Sequence, residues 1–204
     1  MNLKEATSRV ERRKEETKLK IISVAMKLFQ EKGVAMTTME QIAMEADIAK
    51  GTLYNYFPVK EAIISEYIQR SFRDKSPDRI KRLQEIPDTR SRIVSILTEL
   101  MEGVQAQKDI FEKYLVYQIQ NMISLHRDAV IKSGFEQLGI EIIKLGQKSG
   151  EIRKDLPLEI LAAFFGFVFI EVAQQFYTEP EQFKAGEVIE QCVNLFMDGV
   201  NYKE

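Results

Sequence analysis

The spacing of the apolar residues constrains this chain most. They recur at three- and four-residue intervals, and no convincing run alternates apolar with polar side chains. That pattern builds amphipathic helices and leaves little to form a sheet. Turn formers are sparse, with ten glycines and five prolines in 204 residues. The expected fold class is therefore all-α, with about nine helices separated by a few breaks. Hydrophobic residues make up 45% and charged residues 29%, enough for a packed core under a solvated surface.

Composition also narrows the function. One cysteine and one histidine remove most disulfide and metal chemistry, and no cofactor is expected. Cys192 reads as a small buried hydrophobe in a cytoplasmic protein. The N-terminal MNLKEATSRVERRKEE has no apolar segment behind its charges, so no secretory signal is expected. The longest apolar run, residues 160–170, is shorter than the roughly 20 residues that span a bilayer. A core or interface helix is expected there, and no membrane partner.

The breaks place the helices. Ser8 and Glu11 have capping-box spacing, so a first helix is expected from there to Gly33, with Ile21, Ile22, Ala25, Leu28 and Phe29 inward. A second starts at Thr37 or Thr38, since Glu40 and Gln41 give both threonines a capping partner. A turn around Asp47 and Ile48 leads to a third, near Lys50 to Phe57, which Pro58 closes. A fourth begins near Val59 and passes Phe72. Residues 76–88, with Pro77 and Pro87, read as a linker or as a helix with broken ends. Five long helices follow, over about 89–106, 108–125, 127–148, 157–177 and 182–201.

Two short helices on a tight turn, crossed by another, make a helix-turn-helix, whose second helix enters the major groove of DNA. Placing the third helix at steps of about 100° per residue puts Leu53 and Phe57 together on one side. Lys50, Gly51, Tyr54 and Asn55 point away, with Thr52 and Tyr56 at the flanks. A cation and an amide can reach base edges, a phenol can reach phosphate, and a glycine lets backbone approach closely. Lys60, past the proline, can neutralise a phosphate. Charge is distributed to suit: residues 1–62 hold 11 Lys/Arg against 9 Asp/Glu, and the remainder 18 against 22. Residues 1–16, with Arg9, Arg12, Arg13 and Lys14, read as an N-terminal arm or as an extension of the first helix.

The segment TTMEQIAMEADIAKGTLYNYFPVKEAI closely resembles the DNA-binding head of the TetR family of bacterial transcriptional regulators. The resemblance covers residues 17–63, and beyond them it is only architectural. It implies phosphate contact by Thr38 and Lys60. It implies approach to bases and backbone by Lys50, Gly51, Thr52 and Tyr54, with Asn55 and Tyr56 beside them. Two positions depart from the pattern: Asp47 stands where glycine is usual, and Ala49 where a hydroxyl cap is common. The expected division is a head, residues 1–62, and an effector-binding and dimerisation domain, residues 63–204.

One recognition helix reads few base pairs, so a homodimer on a palindromic double-stranded operator is expected. The helix over 157–177 is apolar nearly all round and needs cover on every side. Dimer candidates are Leu161, Phe165, Val168, Phe169, Val188, Cys192 and Phe196. Candidates for an effector pocket are Met101, Tyr114, Tyr117, Gln118, Asn121, Met122, Phe135 and Glu171; His126 sits at a weak break. Glu171, if buried, would select a cationic ligand. The resemblance implies a repressor released by a small-molecule effector. The alternatives are an activator, an effector-independent DNA-binding protein, or a helical dimer that binds protein. An enzyme is not expected, because no phosphate-binding glycine loop and no nucleophile–histidine spacing is present.

Overall fold

The computed structural model describes residues 3–123 and 134–200 of the 204, and their side chains over 9–121 and 135–200. Among the described residues there are nine α-helices and no strand. They are α1 (Leu3–Lys32), α2 (Met39–Glu45), α3 (Lys50–Tyr56), α4 (Lys60–Glu85), α5 (Thr89–Ala106), α6 (Lys108–Ile123), α7 (Gly134–Ser149), α8 (Leu158–Thr178) and α9 (Ala185–Val200). The chain forms two compact units. Unit 1 comprises residues 1–68 and 109–124; unit 2 comprises residues 69–108 and 125–204.

In unit 1, α2 packs on α1 and α3 packs on α2. Each of the three supplies apolar anchors that water does not reach, Ile21 and Ala25 from α1, Ile42 from α2 and Leu53 from α3. The two adjacent threonines divide the turn between them. Thr37 is buried, and its hydroxyl donates to the Gly33 carbonyl at 2.9 Å, closing the end of α1. Thr38 caps α2 in a reciprocal pair with Gln41. The second helix therefore starts after Thr38. The first begins earlier than the Ser8 capping pattern suggests, because α1 runs from Leu3 and makes the former arm part of the helix. An Arg12–Glu16 ion pair one turn apart supports that extension.

In unit 2, α8 packs on α7 and α9, and α5 packs on α9 and α7. Gly146 lets α7 come close to its neighbours: a Cβ there would lie 2.6 Å from the Thr89 hydroxyl and 2.7 Å from Ile152. Of the two readings of residues 76–88, linker or broken-ended helix, the structure takes the helix over most of the segment. α4 continues through Pro77 to Glu85. The proline removes one backbone donor and costs about 3 kcal/mol. Buried Leu83 offsets that, as do two ion pairs from Arg79 and Arg82 to Glu99 of α5.

α8 extends well beyond the eleven-residue apolar run at 160–170. Its 21 residues are long and apolar enough to cross a membrane by length and composition. Its packing gives the better account: Leu161, Ala162, Phe165, Phe169, Val172 and Ala173 are buried inside the unit.

Candidate nucleic-acid interface

The turn before the recognition helix is built by residues outside the usual family pattern. Asp47 adopts φ +51°, the left-handed geometry that aspartate tolerates better than most side chains. Ala49 occupies the N-cap of α3 and makes no side-chain cap bond. Packing holds this seven-residue helix in place of a cap. Leu53 is fully buried and Phe57 nearly so, and Lys18 of α1 stands 5.9 Å from the Phe57 ring centre.

With those two anchors inward, the rest of α3 faces out as the helical projection expects. Lys50, Gly51, Tyr54 and Asn55 are exposed, and Thr52 and Tyr56 are half-buried at the flanks. Thr38 is exposed at the mouth of α2. The surface therefore presents a cation, bare backbone, a phenol, an amide and a hydroxyl within two short helices. Those are the donors that phosphates and base edges accept from.

Two charged contacts were not foreseen. Lys50 pairs with Glu40 of α2 and lies 5.8 Å from the Tyr54 ring centre. The hydrogen bond from Lys50 holds the Glu40 carboxyl below its usual range, and the same bond holds the Lys50 ammonium above its own. A search for pairs between α2 and α3 ten residues apart would have found it. Lys60 needs a correction. Its ammonium donates to the carbonyls of Val34 and Thr37, each at 2.7 Å, so two of its three donors hold the α1–α2 turn. It braces the head there, and at Val34 it adds to a long 3.4 Å turn bond from the Thr37 N–H.

The described pocket candidates divide between the two units. Tyr114 is buried on α6, and burial raises its phenol pKa, partly offset by a hydrogen bond with Gln118. Tyr117 and Gln118 are half-buried, and Asn121 is exposed. These four belong to unit 1. Met101 and Phe135 belong to unit 2, the first buried and the second half-buried. The Met122 side chain and His126 lie outside the described residues. Glu171 is corrected: it is exposed on α8 and accepts a hydrogen bond from Gln175 at 2.9 Å, so no buried carboxylate awaits a cation there.

The dimer candidates are corrected in part. Leu161, Phe165, Phe169 and Phe196 are buried within the chain itself and have no face left for a partner. Val168, Val188 and Cys192 are half-buried. The apolar residues that α8 leaves open are Ile160, Ala163, Phe164 and Phe167, with Phe164 59% and Phe167 53% exposed. On α9 the open one is Leu195, at 78%. Periodicity missed these positions because it cannot say which side of an all-apolar helix turns inward.

A helix-turn-helix head on a helical body defines a DNA-binding protein of the regulator type. Residues 21–67 match the model of the N-terminal domain of bacterial regulatory proteins of the tetR family. The transcriptional repressor KstR2 of Rhodococcus jostii is 26% identical over 187 residues, covering 88% of this chain and 89% of that protein. The structure of Thermus thermophilus FadR, a TetR-family repressor in complex with lauroyl-CoA, superposes with a TM-score of 0.77 at 24% identity, covering 92% of this chain and 96% of that one. A transcriptional regulator from Saccharomonospora viridis in complex with choline gives 0.60 at 18% identity, covering 93% and 100%. The head of this chain is a TetR-family DNA-binding domain, and its chain-length relatives are transcriptional repressors. The chain is a DNA-binding transcriptional regulator and not an enzyme.

Proposed function

We propose that the chain acts in the cytoplasm as a homodimeric repressor on an inverted-repeat operator and is released by a small-molecule effector. The head, residues 1–62, reads the DNA; residues 63–204 bind the effector and the second copy. The carrying observation is the arrangement of α3, with Leu53 and Phe57 fully inward and Lys50, Gly51, Tyr54 and Asn55 outward. Thr38 and the third donor of Lys60 add phosphate contacts at its edges.

The open apolar stripe of α8 supports the dimer. Ile160, Ala163, Phe164 and Phe167 fall at helical spacing, and Val188, Cys192 and Leu195 do so on α9. An apolar surface of this kind on two adjoining helices fits a second copy of itself about a two-fold axis. The effector part draws support from fold relatives that carry lauroyl-CoA or choline. Those ligands differ in charge, so the fold alone does not choose between them. Release requires the effector to bind one conformation of the body better than the other.

Selection of bound duplexes from random DNA tests the reading. Recovery of an inverted repeat with half-sites about one helical turn apart is the expected result. Recovery of no preferred sequence would overturn it.

A further inference from the structure

Unit 2 buries two arginines, and they are treated differently. Arg92 of α5 has acceptors for its guanidinium on every side. Nε donates to the Leu83 carbonyl at 3.0 Å, Nη2 to the Pro87 carbonyl at 3.2 Å and Nη1 to the Thr89 hydroxyl at 3.4 Å. That is a structural arginine. Arg79 of α4 is as deeply buried, at 7% exposure, yet its Nη1 has no hydrogen-bond partner and no contact with solvent. Among the described residues it is the one buried side-chain nitrogen or oxygen left so. A buried, permanently charged donor without an acceptor is costly and needs an explanation.

The surrounding charge does not supply one. The Nε of Arg79 donates to Glu99 Oε1 at 2.8 Å, and Arg82 Nη2 donates to Glu99 Oε2 at 2.6 Å. One carboxylate thus serves two guanidiniums, the exposed Arg82 and the buried Arg79, and neither of its oxygens reaches Arg79 Nη1. The Arg79 guanidinium stands 5.0 Å from the ring centre of Phe72. A row of rings begins at that point. Phe72 meets Phe135 edge-on at 6.2 Å, and Phe135 lies against Phe165 at 5.2 Å and Phe169 at 4.9 Å. Gly139 lets Phe165 into the row, since a Cβ there would lie 2.7 Å from its ring. An unsatisfied cation stands at one end of an apolar row drawn from three helices.

We propose that Arg79 anchors the effector, and that the effector is an anionic amphiphile: a carboxylate or phosphate whose hydrocarbon chain lies along Phe72 and Phe135. This rests on the reading of the protein as an effector-released repressor. An anion would give Nη1 its missing acceptor in a charge-assisted hydrogen bond. A cation could not accept from the Nη1 donor, and Glu171, which faces outward, offers it no counterweight.

The test titrates the dimeric protein with laurate, lauroyl-CoA, dodecanol and dodecyltrimethylammonium. It reads heat of binding and release of the selected operator. Laurate and lauroyl-CoA separate a carboxylate ligand from a phosphate-bearing one, while dodecanol and the quaternary amine keep the chain and change the head. Arg79→Met is expected to lose on the order of tenfold to a hundredfold in affinity for the anionic ligand and to leave dodecanol unchanged. Glu99 keeps Arg82 in that variant, so its ligand-free melting temperature should fall by no more than a few degrees. If Arg79→Met fails to fold, Arg79→Lys keeps the charge without the fork and should show the same selective loss in smaller measure. Equal loss for dodecanol and the anions, or no anion binding to the native protein, overturns the proposal. Release by the amine or by dodecanol alone overturns it too, yet leaves the repressor reading standing. Failure to bind any duplex sinks the repressor reading itself.

Discussion

The outward faces of α3 and α8 make the instructive comparison. Both are short of partners in the isolated chain, and each is held by a buried stripe on its other side. On α3 the open face is polar, with Lys50, Tyr54 and Asn55 around a glycine. On α8 it is apolar, with Ile160, Phe164 and Phe167. A polar face against an apolar one is a contrast the sequence itself writes, so the anchors Leu53 and Phe57 pick out the orientation of α3. An apolar face against an apolar one writes nothing. The first face suits a hydrated, charged polymer, and the second suits a copy of itself.

The largest expected effect tests the α8 half. Phe164→Asp with Phe167→Asp removes two aromatic anchors per protomer, and the two-fold axis doubles the loss. Burial of one such ring is worth about 1.5–3 kcal/mol, so the dimer dissociation constant should rise by at least about a thousandfold. Sedimentation should show monomers with helical content intact, and operator binding should collapse with the lost second head. A dimer that survives the double change would remove the contrast between the two faces.

The buried side of α3 comes next. Leu53→Ala empties a fully buried site and should cost about 2–5 kcal/mol of head stability, seen as an earlier thermal transition. DNA binding falls with it, because a seven-residue helix without a side-chain cap has little besides packing to hold it.

A smaller effect separates contact from brace. Tyr54→Ala is expected to weaken operator binding by about 1–2 kcal/mol with the melting temperature unchanged, as for one lost polar contact. Lys60→Met should behave differently. It removes one donor from each of two carbonyls, Val34 and Thr37, so it should lower head stability by about 1–2 kcal/mol as well as affinity. Melting curves alongside anisotropy titrations distinguish the two; matching profiles would return Lys60 to a pure phosphate contact.

How much of this was legible follows from the same physics. Helix type and most breaks could be read, since Gly33, Pro58 and Gly150 punctuate a strong 3.6-residue period. Pro77 left linker and broken-ended helix both open, because the ion pairs from Arg79 and Arg82 to Glu99 that carry α4 beyond it are contacts between distant residues and leave no local trace. The outward face of α3 could be read from Leu53 and Phe57. The Lys60 brace could not, since its acceptors are backbone carbonyls 23 and 26 residues away. Arg79 looked like any charged residue on a helix, and only burial sets it apart from Arg82.

The smallest expected effect concerns Glu40, an acidic group set among the polar residues of the reading face. Glu40 pairs with Lys50 and so competes with DNA for that ammonium. Both groups are open to solvent, where an ion pair is weak and screened by salt. Glu40→Gln should therefore raise affinity for random duplex only a few-fold, and the slope of affinity against salt should steepen by up to about one unit as Lys50 becomes free for phosphate. The pH dependence has a definite sign. The hydrogen bond from Lys50 lowers the Glu40 pKa, so the pair is complete above the ordinary glutamate range and is lost as pH falls through the lowered value. The native protein should thus approach the Glu40→Gln affinity only at pH below that of a free glutamate, and the variant should show no such change. If Glu40→Gln leaves both random-duplex affinity and its salt slope unaltered, Lys50 is not held back by its partner, and the polar face of α3 acts on DNA without restraint from α2.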